Sequence, residues 1–182
     1  MEKKVRQDIN FLENPIWLQK KSETRGYIYE ENDYTLKTAE APPTRQDILI
    51  LYYLMWVSQE RNWESDLYIS HYEILKNVGL GQGGNQKKRL RESLNRWAGI
   101  VIDFKGSFYD GKAYKNLVFH IIDSWEQEEG SRLLKISFSK KWLLQIKNSS
   151  FFELLTFEEL RKLKTSLSTR LYEILSKNFH NR

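Results

Sequence analysis

The chain has 182 residues, with 29 Lys and Arg against 24 Asp and Glu for a formal charge of +5, and its pI of about 9.2 suits a polyanionic partner. Hydrophobic residues at 40% and aromatic ones at 14% suffice for a packed core and argue against extensive disorder. The absence of Cys excludes disulfides and thiol chemistry; three scattered His (His71, His120, His180) give no metal-ligand spacing, and no run is apolar enough for a membrane span or a signal peptide, so a cytoplasmic protein without metal or cofactor is expected.

Residues 1–25 are polar apart from Ile9, Phe11, Leu12, Ile16, Trp17 and Leu18, and Pro15 interrupts any helix. They read as a flexible N-terminal arm before one domain, 26–182. Tyr27 to Glu30 and Tyr34 to Thr38, separated by Glu31-Asn32-Asp33, read as a β-hairpin. Pro42 and Pro43 stop the chain, and Thr44 with Asp47 starts a helix reaching about Arg61. Apolar on most sides, that helix is the expected centre of the core.

A strand over Leu67 to Ile69 leads to Ser70, which with Glu73 forms a capping box for a short helix that Gly79 can stop. A glycine-rich turn follows, and Asn85 can cap the next helix. Leu90, Leu94, Trp97 and Ala98 give that helix one apolar face, which leaves Lys87, Lys88, Arg91 and Asn95 outward. Ile100, Ile102 and Phe104, then Leu117, Phe119 and Ile121, alternate about Asp110-Gly111, a strong hairpin signal.

Strand, short helix, tight turn, basic helix and ribbon come in the order of a winged helix-turn-helix, with the ribbon as wing. The fold class expected is therefore α+β, a winged helix-turn-helix domain with flanking helices and an N-terminal β-hairpin. That geometry pushes the N-terminal half of the second helix into a major groove, where Gln, Asn, Lys and Arg read base edges and phosphates. The DNA-binding candidates are Gln82, Asn85, Gln86, Lys87, Lys88, Arg91 and Asn95, with Lys105, Tyr109, Lys112 and Lys115 on the ribbon. A charged face opposite an apolar stripe is more often simply solvated, and only the motif around it shifts the balance.

Asp123 to Glu129 reads as an acidic solvated turn, and Leu133 to Phe138 as a further strand. Lys140 to Asn148 is helical; Thr156 with Glu159 suggests another capping box; a last helix from about Ser166 is expected to bury Leu167, Leu171, Ile174, Leu175 and Phe179. Gly79, Gly81 and Gly84, with Asp103 beyond, match the spacing of a dinucleotide fingerprint. Tyr72 to Val78, however, has helical spacing where that fingerprint needs a strand. No nucleophile, base and oxyanion-donor set stands in sequence proximity, so no catalytic residue is assigned and no enzyme is expected.

The run Ile74 to Gly84 (ILKNVGLGQGG), the helix Arg89 to Arg96 (RLRESLNR) and Phe119 to Glu126 (FHIIDSWE) resemble the bacterial plasmid replication initiator protein A family. So do Phe138 to Leu143 (FSKKWL) and Arg170 to Lys177 (RLYEILSK), and the resemblance spans about Pro43 to Phe179. It implies a winged-helix initiator, not an enzyme, that binds double-stranded DNA at repeated sites of a plasmid origin and recruits host replication proteins. With the aromatic content, it also suggests a homodimer. Family members commonly continue past the segment matching Arg170 to Lys177, so a C-terminal part is expected to be absent here, or the protein to be short. Two other readings stay open: a transcriptional repressor of the same fold, and a dimerisation or protein-interaction module.

Overall fold

The computed structural model describes residues 2–19 and 24–179. The chain runs β1 (Lys4–Asp8), α1 (Ile9–Glu13), β2 (Tyr27–Glu31), β3 (Tyr34–Thr38), α2 (Arg45–Glu60), β4 (Asp66–Ser70), α3 (His71–Val78) and α4 (Gly84–Ala98). It continues through β5 (Ile100–Tyr109), β6 (Tyr114–Phe119), β7 (Ile122–Glu126), β8 (Leu133–Phe138), α5 (Lys140–Asn148), β9 (Phe152–Thr156), α6 (Phe157–Lys162) and α7 (Ser166–Phe179). The architecture is mixed α+β with antiparallel sheets in the orders β1-β9, β2-β3-β5-β6 and β4-β8-β7.

α2 is the central core helix, and Ile48, Leu49, Ile50, Leu51, Tyr52, Tyr53, Leu54 and Met55 are all buried. Burial on every side follows from its apolar sequence. Its start is fixed by Asp47, whose Oδ2 accepts from the Thr44 amide at 2.7 Å and the Thr44 hydroxyl at 2.9 Å.

The N-terminal segment is not an arm. Lys4–Asp8 pairs with Phe152–Thr156, and Val5, Ile9, Phe11, Leu12, Ile16 and Trp17 are buried. Phe11 is the hub of an aromatic cluster, edge-on to Phe104 at 5.7 Å, Phe108 at 6.2 Å, Phe119 at 5.6 Å and Trp142 at 6.3 Å between ring centres. The residues read as scattered apolar points thus plug the core between the four-stranded sheet and α5. Residues 20–23 lie outside the described part.

The local signals that bound α3 are realised. Ser70 Oγ accepts from the Glu73 amide at 3.1 Å. Gly79, at φ +83°, closes α3 with amide bonds from Gly79 to the Lys76 carbonyl and from Leu80 to the Leu75 carbonyl, the two bonds of a Schellman stop. A helix therefore leads into Gly79, and the dinucleotide reading lacks the strand it requires. α4 begins at Gly84, two residues earlier than a cap at Asn85 would set it, because Gly83 holds the N-cap position and Asn85 sits inside the first turn.

Two further departures concern the sheets. The ribbon β5–β6 forms as expected, but β5 pairs with β3, while β4 pairs with β8 and β8 with β7. The stretch read as an acidic turn is in part the strand β7, in which Ile122 is buried and Trp125 half-buried, with a register shift between Ile122 and Ser124. At the C-terminus nothing in the sequence marks β9; Thr156 stands at the N-cap of α6 without a side-chain bond, and its amide donates to the Tyr172 hydroxyl at 3.1 Å.

α7 faces the opposite way from its apolar stripe. Thr169, Arg170 and Glu173 are buried, while Leu167, Leu171 and Leu175 are 59%, 46% and 46% exposed. Ile174 is half-buried, and the Phe179 side chain lies outside the described part. A buried polar network decides this orientation: Glu173 accepts from Trp17 Nε1 at 3.2 Å, Tyr52 Oη at 2.7 Å and Arg170 Nη1 at 2.9 Å. Satisfying a buried carboxylate outweighs three leucines in water.

Candidate nucleic-acid interface

α4 is clamped to the core along one side and open along the other. Leu90, Leu94 and Trp97 are fully buried, Trp97 Nε1 donates to the Asp47 carbonyl at 3.0 Å, and Arg96 forms an ion pair with Asp47 at 3.0 Å. Asp47 thus starts α2 and holds the C-terminal half of α4. The sequence shows only the first task; the second depends on α4 packing beside the start of α2, which lies beyond any local signal.

One edge of that open side meets the β7–β8 hairpin, through Arg91 and Asn95. Trp125 Nε1 donates to Asn95 Oδ1 at 2.9 Å, and Arg91 Nη2 to Gln127 Oε1 at 3.2 Å. Neither Trp125 nor Gln127 was singled out from the sequence. Both follow from the pairing of β7 with β8 beside the helix, which no local pattern reveals.

Seven of the candidate residues come together here. Gln82, Asn85, Lys87, Lys88, Arg91 and Asn95 are exposed along the turn and the outer face of α4, while Gln86 is half-buried. Gln82 donates to the Tyr72 carbonyl at 3.4 Å, tying the turn to α3. Arg89, which was not among the candidates, is also exposed. The nearest carboxylate is Glu92, 3.9 Å from Lys88, a solvated pair that neutralises little.

Beneath this face lies His71, only 7% exposed, with its Nε2 lacking a hydrogen-bond partner among the described residues. Burial, and then the nearby Arg91 and Lys87 cations, lower its pKa from the usual imidazole value. The imidazole therefore resists taking on a charge beside the basic face.

The four ribbon candidates belong to a different place. Lys105 is paired with Glu30 at 2.6 Å, and Lys115 is paired with Asp110. The Tyr109 ring lies 5.4 Å from Phe151, and its amide donates to Asn10 Oδ1 at 2.9 Å. Lys112 is exposed on the same tip. The tip packs against α1 and the loop before β9, and the hairpin adjoining α4 is β7–β8.

That hairpin has its own charge pattern. Glu126 pairs with Lys135 at 3.0 Å, and Glu128, Glu129 and Arg132 are exposed at its turn. Of the hairpin and the helix, α4 is therefore the one that presents net positive charge. Among the described residues no helix is long and apolar enough to cross a membrane.

These features define a mixed α+β protein with antiparallel sheets that presents a solvent-facing basic helix directly after a short helix and a tight turn. The chain belongs to the replication initiator protein A family, whose model matches residues 6–181. A protein of Wigglesworthia glossinidia brevipalpis described as "Putative replication protein" is 27% identical over 194 aligned positions, which cover 97% of this chain and 68% of that protein. A crystal structure of domains 2 and 3 of RctB shares the fold with a TM-score of 0.65 at 13% identity, over 95% of this chain and 71% of that one. A second RctB structure, also of domains 2–3, gives 0.63 at 13% identity over 94% and 70%.

Proposed function

We propose that the chain acts in replication initiation as a non-enzymatic, sequence-specific binder of double-stranded DNA at origin repeats, using α4 as the groove-facing helix of a winged-helix unit. That unit consists of α2, β4, α3, α4, β7 and β8, and its wing is the β7–β8 hairpin. The sheet order β4-β8-β7 beside α4 supports this arrangement. The observation that carries the reading is the cluster Lys87, Lys88, Arg89 and Arg91, exposed in the N-terminal half of α4 with Glu92 as its only close carboxylate among the described residues. Such a cluster fits phosphates and base edges in a major groove. The exposed Glu128 and Glu129 disfavour phosphates at the hairpin turn, so α4 supplies most of the charge term.

The test is a salt titration of DNA affinity on origin DNA and on scrambled DNA. Each phosphate contact contributes about 0.9 to the slope of log affinity against log salt. The triple variant Lys87→Ala, Lys88→Ala, Arg91→Ala should flatten that slope on both DNAs. Gln86→Ala should weaken origin DNA preferentially, by about 1 to 3 kcal/mol if it reads a base. A triple variant with unchanged affinity and slope would sink the assignment.

The exposed row Leu167, Leu171 and Leu175 favours a second property, association into a homodimer through α7. Sedimentation equilibrium of wild type and Leu171→Glu tests it. A monomer at all concentrations would remove this reading and leave the DNA-binding one standing.

A further inference from the structure

The sheet β4-β8-β7 has two ends with different surroundings. At one end the β7–β8 turn stands beside α4. At the other, Asp66 pairs with Ser137, the Phe138 amide donates to the Ser65 carbonyl at 2.8 Å, and β8 hands over to α5. With six residues in β8, the two ends are ~17 Å apart. At this second end lies a cleft of about 200 Å³ lined by Trp63, Ser65, Lys140, Leu143, Leu144 and Lys147.

The cleft is apolar inside. Leu143 is 3% exposed, and Leu144, at 54%, is one of the large apolar side chains left in water. Trp63 forms part of the wall and is half-buried against the core. Its place is fixed by the backbone, because Asn62 and Trp63 are both left-handed, at φ 58° and 66°, a region sparsely used by residues other than glycine. The Trp63 amide is held by the Ser58 carbonyl at 2.6 Å, and the buried Ser58 hydroxyl donates to the Glu64 carbonyl at 2.7 Å.

The rim is positive. Lys140 and Lys147 stand two turns apart on α5, ~10 Å along the axis, with Leu144 between them. Neither has an ion-pair partner among the described residues, and α5 carries no acidic residue at all. A cleft of this size with a cation at each end accepts one large apolar side chain with carboxylates on both sides of it.

We infer that this cleft docks an acidic segment of a partner protein, anchored by a single Phe- or Leu-sized side chain. A nucleic-acid base fits less well, since aliphatic Leu143 and Leu144, not stacked aromatic rings, make most of the apolar lining. The site lies at the end of the sheet away from the hairpin turn beside α4, so docking and the proposed DNA contact are compatible. The inference does not depend on that DNA reading.

The experiment is fluorescence anisotropy of a labelled synthetic peptide, Glu-Asp-Glu-Phe-Glu-Asp-Glu, titrated with the full chain. Saturable binding that weakens with salt is expected. Leu144→Ser and the pair Lys140→Glu, Lys147→Glu should each reduce it by about tenfold or more. The charge-reversed pair should in turn bind the peptide Lys-Arg-Lys-Phe-Lys-Arg-Lys. These side chains are exposed, so an unchanged thermal midpoint confirms that the variants are folded. Absence of binding up to about 1 mM, or equal binding by the charge-reversed pair, overturns the proposal. Tighter binding of a dT oligonucleotide that displaces the peptide would make the site one for nucleic acid. Self-association lost in the same variants would make the occupant a second copy; either result overturns the assignment to a partner protein.

Discussion

Arg170 and Glu173, one turn apart on α7, form an ion pair at 2.9 Å with side chains only 7% and 1% exposed. Burial raises the Glu173 pKa, and Arg170 with the Tyr52 and Trp17 donors works against that shift. Arg170 also donates to the Glu13 carbonyl at 3.1 Å, so one pair ties α7 to α1, to Trp17 and to the central helix. Removing the cation leaves a buried carboxylate uncompensated, and Arg170→Met should cost about 3 to 5 kcal/mol of stability. Adding Glu173→Gln removes the orphaned charge but keeps an acceptor for Trp17 and Tyr52. The double variant should therefore recover at least about 1 kcal/mol relative to Arg170→Met, a coupling read from urea unfolding of the full cycle. Strictly additive losses would show that the two charges are not coupled.

Gly79 makes a sharper local prediction. A Cβ there would meet only the Arg161 side chain, Cδ at 3.5 Å and Cγ at 3.9 Å, both ordinary contacts, so the penalty of Gly79→Ala comes from φ +83° alone. That should cost about 1 to 2 kcal/mol, or roughly 2 to 8 °C in thermal midpoint. Gly83 has a negative φ and nothing within 4 Å of a Cβ. Gly83→Ala should cost only about 0.5 to 1 kcal/mol, the part of N-cap preference that Gly holds over Ala, with no backbone strain added. Equal effects at the two positions would contradict the left-handed stop.

Where local chemistry fixes an element, the sequence was enough to find it. Thr44 with Asp47, Ser70 with Glu73 and Gly79 set the helix boundaries around the basic helix, and the exposed cluster from Lys87 to Arg91 follows from a 3.6-residue period. The misses share a different cause. β1 and β9 pair Lys4 with Thr156, β4 pairs with a strand far along the chain, and neither partnership leaves a local trace. The sequence accordingly points to the adjacent ribbon β5–β6 as the hairpin beside α4, whereas the one that stands there is β7–β8. On α7 the period was read correctly but its direction was not. A leucine stripe ordinarily faces the core, and here the core side is claimed by the Arg170–Glu173 network.

His71 supplies a pH dependence. Its folded pKa lies below the ordinary value of about 6.5, so on acidification the unfolded chain takes up the proton first. Its contribution is present above about pH 6.5 and is lost as pH falls through 6.5 toward the folded pKa. Urea midpoints measured from pH 7.5 to 5 should drop more steeply for the wild type than for His71→Gln, with the curves parallel above pH 7. A wild-type curve parallel to that of the variant throughout would show that His71 is not held neutral beside Arg91 and Lys87.

The ribbon lysines and the helix lysines provide the most discriminating comparison, because the sequence suggested both as DNA contacts and the structure separates them. Lys115 is already paired with Asp110, whose carboxyl is held well below the usual range by Lys115 and by the Ala113 and Lys112 amides. Recruiting Lys115 to a phosphate would mean giving up that pair. The ribbon tip packs on Asn10 and Phe151, not on α4. Lys112→Ala and Lys115→Ala should therefore each change DNA affinity by less than about twofold and leave the salt slope as it is. Loss of Lys87, Lys88 and Arg91 together should flatten the slope by as much as ~2.7, three contacts at about 0.9 each. If instead the ribbon variants flatten the slope by about 0.9 apiece and the helix variants do not, the DNA lies along the four-stranded sheet, and α4 is a solvated or protein-facing surface.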